Sequence, residues 1–321
     1  MVVEGSLNEG LAGAEVREGS LNPRPIVGIV SQPLGKHTNR SYIAASYVKW
    51  IEASGARVAP LIFDRSPQEL RANFEAINGI VLPGGDASLT EDSPYFKTLK
   101  MLFGWAMEAN SRGDYFPLYG ACLGLEALAI LVSGNHSVLS STDAEDDPVP
   151  LHIATGTAES PFLGFLGEEQ MKKATRESIA YENHDKALLL ESFHADEKLR
   201  ETFRLLTVSY DRYGRAYVSS MEGRDAPILA LQFHPEKNSY EWNMAEHIPH
   251  SLDAVEFSQG VGNYVGKLAR KSRHRPITSS QERSMLIYQY PVTYTGSSTK
   301  AGVESTFEEE YRFAPAVERT W

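Results

Sequence analysis

From Pro25 onward, short apolar runs alternate with segments whose apolar residues recur at helical spacing. Ile26-Val27-Gly28-Ile29-Val30 contains no polar side chain, as expected of a strand buried on both faces of a parallel sheet. Ile43, Tyr47, Val48 and Ile51 share one helical face, with Ser41 placed to cap that helix and Gly55 to end it. Val58 to Phe63 predicts a second strand, Pro67 to Ala76 a helix, and Gly79-Ile80-Val81-Leu82 a third strand that stops at Pro83-Gly84-Gly85. Tyr95, Leu99, Leu102, Phe103 and Met107 mark another amphipathic helix, and Tyr115 to Tyr119 a fourth strand. Cys122 follows at once.

Further along, strands are predicted at Arg204 to Val208, Ala216 to Ser220 and Ile228 to Phe233, the last two joined by a turn around Gly223, and a helix at Leu252 to Ala269. The alternation predicts an α/β fold with a mainly parallel central sheet flanked by helices. Ligands bind such sheets at the carboxyl ends of the strands, where Gly84, Gly85 and Cys122 lie. Residues 25–321 are expected to form one domain, preceded by a disordered segment, Met1 to Arg24. Beyond Lys271 the composition turns basic and polar like a linker. The tail, 272–321, is expected to pack back as peripheral strands at Leu286 to Tyr290 and Phe307 to Phe313.

Composition narrows the function classes. The formal net charge of −11 over 321 residues argues against general nucleic-acid binding, which needs a basic surface. No stretch approaches the ~20 apolar residues of a membrane-spanning helix. Met1 to Arg24 carries Glu4, Glu9, Glu15 and Glu18 and lacks the apolar core of a secretory signal, so compartment stays open. Sequons occur at Asn39 and Asn135, against about one expected by chance, and decide little. The single cysteine, Cys122, excludes an intramolecular disulfide and a cysteine-based zinc site.

A lone cysteine is most often a small buried hydrophobe, but its neighbours change that reading. Gly120-Ala121-Cys122-Leu123-Gly124 sits between a strand and the apolar helix Leu123 to Ser133, the glycine-flanked pattern of a nucleophile elbow. At the helix N-terminus, free N–H groups and the helix dipole favour thiolate and can bind a developing oxyanion. Of nine histidines, His234 is the best base. It ends the strand from Ile228, on the same rim as Cys122, and Glu236 can hold its other ring nitrogen.

Cys122 in this motif, with His234-Pro235-Glu236 far downstream, resembles the class I glutamine amidotransferases and their flavodoxin-like relatives. Within them the chain is similar to the γ-glutamyl hydrolases of folyl poly-γ-glutamates. That resemblance rests on Ser41 to Lys49, Leu82-Pro83-Gly84-Gly85, Gly113 to Pro117, Ser220 to Gly223, His234 to Lys237 with Tyr240-Glu241-Trp242, and Ile287 to Tyr290. It spans roughly residues 25 to 315. It implies Cys122 as nucleophile, His234 as catalytic histidine, and a second functional histidine at His184, which composition alone would not single out. It also implies oxyanion donors at the backbone of Leu123 and Gly85, with Gly84 beside the substrate. Amidotransferases carry glutamine where this chain has Glu126, as γ-glutamyl hydrolases do.

The resemblance implies cleavage of a γ-glutamyl amide through a thioester on Cys122, with no metal or organic cofactor, a small-molecule substrate, and no nucleic-acid or membrane partner. A homodimer is compatible with it. Members occupy vacuoles, lysosomes or the extracellular space, while the lack of a signal segment leaves the cytoplasm open. Two rival functions stand beside it: a glutaminase subunit feeding ammonia to a synthetase, and an idle γ-glutamyl-binding protein on the same scaffold.

Overall fold

A computed structural model describes residues 21–35, 40–296 and 307–315. The expected disordered segment lies outside these residues up to Ser20. The central sheet has eight strands: β1 (Ile26–Val30), β2 (Arg57–Leu61), β3 (Ile80–Leu82), β4 (Leu118–Ala121), β5 (His152–Ile153), β6 (Phe203–Tyr210), β7 (Ala216–Gly223) and β8 (Ile228–Leu231). Their order is β2-β1-β3-β4-β8-β7-β6-β5. The first five are parallel and the rest antiparallel.

Six longer helices flank the sheet: α1 (Ala45–Ala53), α2 (Pro67–Phe74), α3 (Pro94–Ser111), α4 (Leu123–Ser133), α5 (Pro161–Ala174) and α6 (Leu252–Ala269). The apolar run of β1 is split between two cores, as strand geometry requires. Ile26 and Val30 join the core holding Leu99 of α3 and Leu128 of α4, while Val27 and Ile29 join the core holding Trp50 of α1 and Val261 of α6. Burial on both faces is why the central strands read as unbroken apolar runs.

Four expectations are corrected. Ser41 does not cap a helix; Ser41–Ala44 is a strand, and α1 starts from Ala44 with no side-chain cap. Pairing supplies the reason, because Ser41–Ala44 lies antiparallel to Glu309–Phe313 from the far end of the chain. The tail strands are Val292–Tyr294 and Glu309–Phe313, while Ile287–Gln289 is a 3-10 turn with Ile287 buried. The supposed linker contains a short helix, Ser279–Met285, whose Glu282 pairs with Arg24 and Arg57. β4 begins at Leu118 rather than Tyr115, since Phe116 already satisfies its backbone through the Asn110 side chain.

A ribbon that the apolar pattern does not announce lies beside the sheet: Ser140–Val149 paired antiparallel with Ala180–Ala187. Among the described residues, no helix is long and apolar enough to cross a membrane.

Candidate active site

Register brings the site together. In neighbouring strands Leu82 of β3 stands opposite Gly120 of β4, and Ala121 of β4 opposite Leu231 of β8. The chain then runs one to three residues beyond each strand, delivering Gly84, Cys122 and His234 to one stretch of the carboxyl rim. The row lies where α/β sheets present ligands.

Cys122 turns the corner from β4 into α4 with φ +50° and ψ −108°, a backbone an L-residue adopts only under constraint. The constraint is packing. A Cβ on Gly124 would lie 2.1 Å from the Leu82 carbonyl oxygen, and one on Gly120 would lie 2.7 Å from the backbone of Gly124. Both glycines allow α4 to seat directly on the sheet, which forces the elbow and leaves the thiol at its tip. The sulfur is 3.9 Å from the Asn183 carbonyl oxygen, on the ribbon.

His234 is buried, with Nδ1 2.8 Å from Oε1 of the fully buried Glu236. A carboxylate there can accept a hydrogen bond from an Nδ1–H, which leaves Nε2 as the unprotonated nitrogen of the neutral ring. Gly84 lies between His234 and Cys122: a Cβ on it would meet His234 Cε1 at 2.5 Å and Cys122 Cβ at 3.2 Å. The Gly84 N–H donates to the Tyr47 hydroxyl at 2.8 Å, and the same oxygen lies 3.4 Å from His234 Nδ1. Burial, and next the Glu236 charge, hold the Tyr47 phenol protonated. Sequence reading placed Tyr47 on the buried face of α1 and missed its hydroxyl; a phenol on a helix beside a strand end was the available signal.

Gly85 has φ +154°, and a Cβ there would strike the Gln32 amide at 2.6 Å. Gln32 is itself fixed by the Pro83 carbonyl and the Tyr95 hydroxyl. Glu126, one turn into α4, is 5% exposed and accepts a hydrogen bond from Gln232 at 3.2 Å. Burial raises its pKa to about 7, against smaller lowering effects from His184 and Gln232. His184 lies on the ribbon, buried, with Nδ1 3.1 Å from the Thr142 hydroxyl and the ring edge-on to Tyr217.

The electrostatics correct one expectation. The Leu123 N–H does favour a thiolate on Cys122, but burial pushes the thiol well up, and the carboxylates of Glu126, Glu182 and Glu236 add to that. The helix terminus alone therefore does not offset burial at the sulfur.

These residues open on a cleft of about 930 Å³, lined by Gly84, Gly85, Cys122, Leu123, Glu126, His184 and His234. Tyr42 and Phe307, with ring centroids 5.8 Å apart, form part of its wall. The volume suits a small molecule or short peptide. Among the described residues no group of three His, Cys, Asp or Glu is arranged to hold a metal.

A cysteine elbow on a mainly parallel sheet, opposed by a histidine backed by glutamate, is the working arrangement of the α/β cysteine hydrolases. Residues 25–236 match the family model for peptidase C26, and the chain belongs to that family. It is 38% identical over 294 residues to the γ-glutamyl hydrolase of Mus musculus, covering 90% of each chain. It is 35% identical over 320 residues to that of Homo sapiens, covering 98% of each, and 36% identical over 302 residues to γ-glutamyl hydrolase 1 of Arabidopsis thaliana, covering 92% of this chain and 84% of the relative.

Proposed function

We propose that the chain hydrolyses the γ-glutamyl amide bonds of folyl poly-γ-glutamates, with Cys122 as nucleophile and His234 as the proton carrier. The observation carrying this is the 2.8 Å contact of His234 Nδ1 with Glu236, across Gly84 from a cysteine on a strained elbow. The relatives named γ-glutamyl hydrolase supply the bond type.

The Cys122 thiol gives its proton to His234 Nε2 as sulfur attacks the γ-carbonyl carbon. The carbonyl oxygen becomes an oxyanion facing the N–H groups of Leu123 and Gly85. His234 returns the proton to the leaving amine nitrogen, the C–N bond breaks, and a thioester remains. Water then loses a proton to His234 and attacks the thioester, releasing the γ-carboxylic acid and restoring the thiol. Glu236 keeps the imidazole oriented and stabilises it while charged. His184, Glu126 and Gly84 face the substrate. An acidic compartment such as a vacuole or lysosome fits this reading, because burial raises the Glu126 pKa to about 7, and the protonated carboxyl can donate as glutamine does.

Mass spectrometry of products from a folyl poly-γ-glutamate tests the proposal directly. Shortened folates and free or oligomeric glutamate are expected from the wild type, and none from Cys122→Ala. Intact substrate after long incubation with the wild type, or ammonia release from free glutamine in its place, would overturn it.

A further inference from the structure

The segment Pro83-Gly84-Gly85, which carries one of the expected oxyanion donors, belongs to no strand or helix. Its polar groups show what holds it in place. The Pro83 carbonyl accepts from Gln32 Nε2 at 3.2 Å, and the Gly84 N–H donates to the buried Tyr47 hydroxyl at 2.8 Å. Gly85 then rests on the Gln32 amide, closely enough that a Cβ there would meet it at 2.6 Å. The Gly85 N–H has no hydrogen-bond partner among the described residues, and Gly85 lines the cleft. Two successive N–H groups are thus divided, the first tied to a phenol and the second left open. An oxyanion donor must be fixed before the reaction and uncommitted to another acceptor. The Gly85 N–H meets both conditions.

The same phenol oxygen reaches the base. It lies 3.4 Å from His234 Nδ1, while Glu236 at 2.8 Å is placed to accept the Nδ1 proton. Tyr47 therefore packs against the ring without competing for that proton. The helix α1 that carries Tyr47 also holds the histidine side by a second route. Trp50, one turn further on, donates its indole N–H to the Ser258 carbonyl at 2.9 Å. The Ser258 hydroxyl in turn donates to the carbonyl of Pro235, between His234 and Glu236, at 2.5 Å. Trp50 has no exposed surface and Tyr47 only 2%, so packing locks both rotamers.

We infer that Tyr47 is a positioning residue, whose hydroxyl fixes Gly84 so that the Gly85 N–H meets the oxyanion, while the same side chain sets the place of His234. The inference deepens the proposed function and rests on it. Acyl transfer puts negative charge on the carbonyl oxygen and positive charge on the imidazole together, so both receivers must already stand at the right spacing. One rigid phenol between them fixes that spacing. Without the hydroxyl, the Gly84 N–H would be buried with no partner, and the segment would shift to find one. Binding of the ground state draws on the rest of the cleft and would change little.

The test compares the wild type, Tyr47→Phe and Tyr119→Phe on a γ-linked glutamyl peptide and on the matching γ-glutamyl aldehyde as inhibitor. Sulfur of Cys122 bonds to the aldehyde carbon, and the thiol proton passes to the former carbonyl oxygen, which then sits where the oxyanion forms. Tyr119 is a buried phenol of the same core whose hydroxyl makes no hydrogen bond among the described residues, so its variant controls for loss of an oxygen as such. Tyr47→Phe should lower kcat about thirtyfold, within the cost of misplacing a donor or a reacting group, and keep KM within about threefold. Its inhibition constant for the aldehyde should rise by about the factor that kcat/KM falls. Tyr119→Phe should match the wild type in all three. Amide hydrogen exchange in the wild type gives a reading that needs no variant to fold. The Gly84 amide should exchange slowly throughout, and the Gly85 amide should slow only when the aldehyde is bound. A kcat within about threefold of wild type in Tyr47→Phe would overturn the inference. So would an equal loss in Tyr119→Phe, an unchanged aldehyde affinity beside a lowered kcat, or a Gly85 amide indifferent to the aldehyde. A wild type that neither cleaves the peptide nor binds the aldehyde would instead refute the proposed function.

Discussion

Glu126 shows how much of a site residue's character depends on its surroundings. A glutamate one turn past the nucleophile suggests a permanent acceptor, yet burial raises its pKa from an ordinary 4.5 to about 7 in spite of the hydrogen bond from Gln232. In the unfolded chain the group ionises near 4.5, so between about pH 4.5 and 7 the folded state binds a proton that the unfolded state has released. Stability therefore falls as pH rises through this window and levels off above it. The full cost above pH 7 is roughly 3 kcal/mol, from about 1.4 kcal/mol per pKa unit. Glu126→Gln, which removes the ionisation and keeps an amide for Gln232, should raise the melting temperature at pH 8 and change it little at pH 4.5. Paired thermal melts would check this, and an equal shift at both pH values would sink it. The position was visible in the sequence as a departure from glutamine. Its altered acidity was not, because the cause is burial contributed by other elements.

At the scale of elements, legibility followed how far each element's pattern depended on distant partners. The strands of the parallel sheet were readable because burial on both faces writes an apolar run into β1, β3 and β8. The elbow was readable because Gly120 and Gly124 flank Cys122. Ser41–Ala44 was misread because its strand conformation comes from a partner at Glu309–Phe313. The ribbon was missed because Ser140 to Asp147 is almost wholly polar and its register is broken by bulges. That ribbon carries His184, so the half of the site on it came from family resemblance, while the half on β4 and β8 came from pattern. One close approach at the strand ends yields a sharp prediction. Gly84→Ala would drive a methyl group into His234 Cε1 and the Tyr47 hydroxyl, both side-chain atoms at the mouth of the site rather than in the cores. Activity should fall at least about a hundredfold, the lower range of acid–base contributions, because the imidazole is displaced from the sulfur. The far-ultraviolet dichroism should stay native. Gly124→Ala should behave oppositely and lose the fold itself, since its methyl meets the Leu82 backbone at 2.1 Å. Near-normal turnover in Gly84→Ala would remove this glycine from the geometry of the site.

At the scale of the whole molecule, two segments far apart in the chain meet beside the cleft. The strand Glu309–Phe313 pairs with Ser41–Ala44, which leads directly into α1 and Tyr47. Lys49 forms an ion pair with Glu309, and the Glu308 N–H donates to Glu241 at 2.7 Å. Glu241 is buried at the end of the short helix Lys237–Tyr240, just past His234 and Glu236. Phe307 and Glu310 themselves line the cleft. The tail thus clamps both the tyrosine side and the histidine side of the site while closing one wall. Among the described residues its strand pairs outside the eight-stranded sheet, whose two cores are built largely from the elements before it, with Phe313 of the tail and Ile287 buried in one of them. Removing residues 307–321 should therefore leave the sheet folded and act on the site. The expected result is a KM raised at least about tenfold and a reduced kcat, the pattern of a site that has lost both a wall and part of its support. The melting temperature should drop by a few degrees, consistent with the loss of about 1–2 kcal/mol of strand pairing and packing. Steady-state kinetics and a thermal melt on the truncated chain measure both. A truncated chain with wild-type kinetics would mean that the tail only covers the molecule, and one that fails to fold would mean that it belongs to the core.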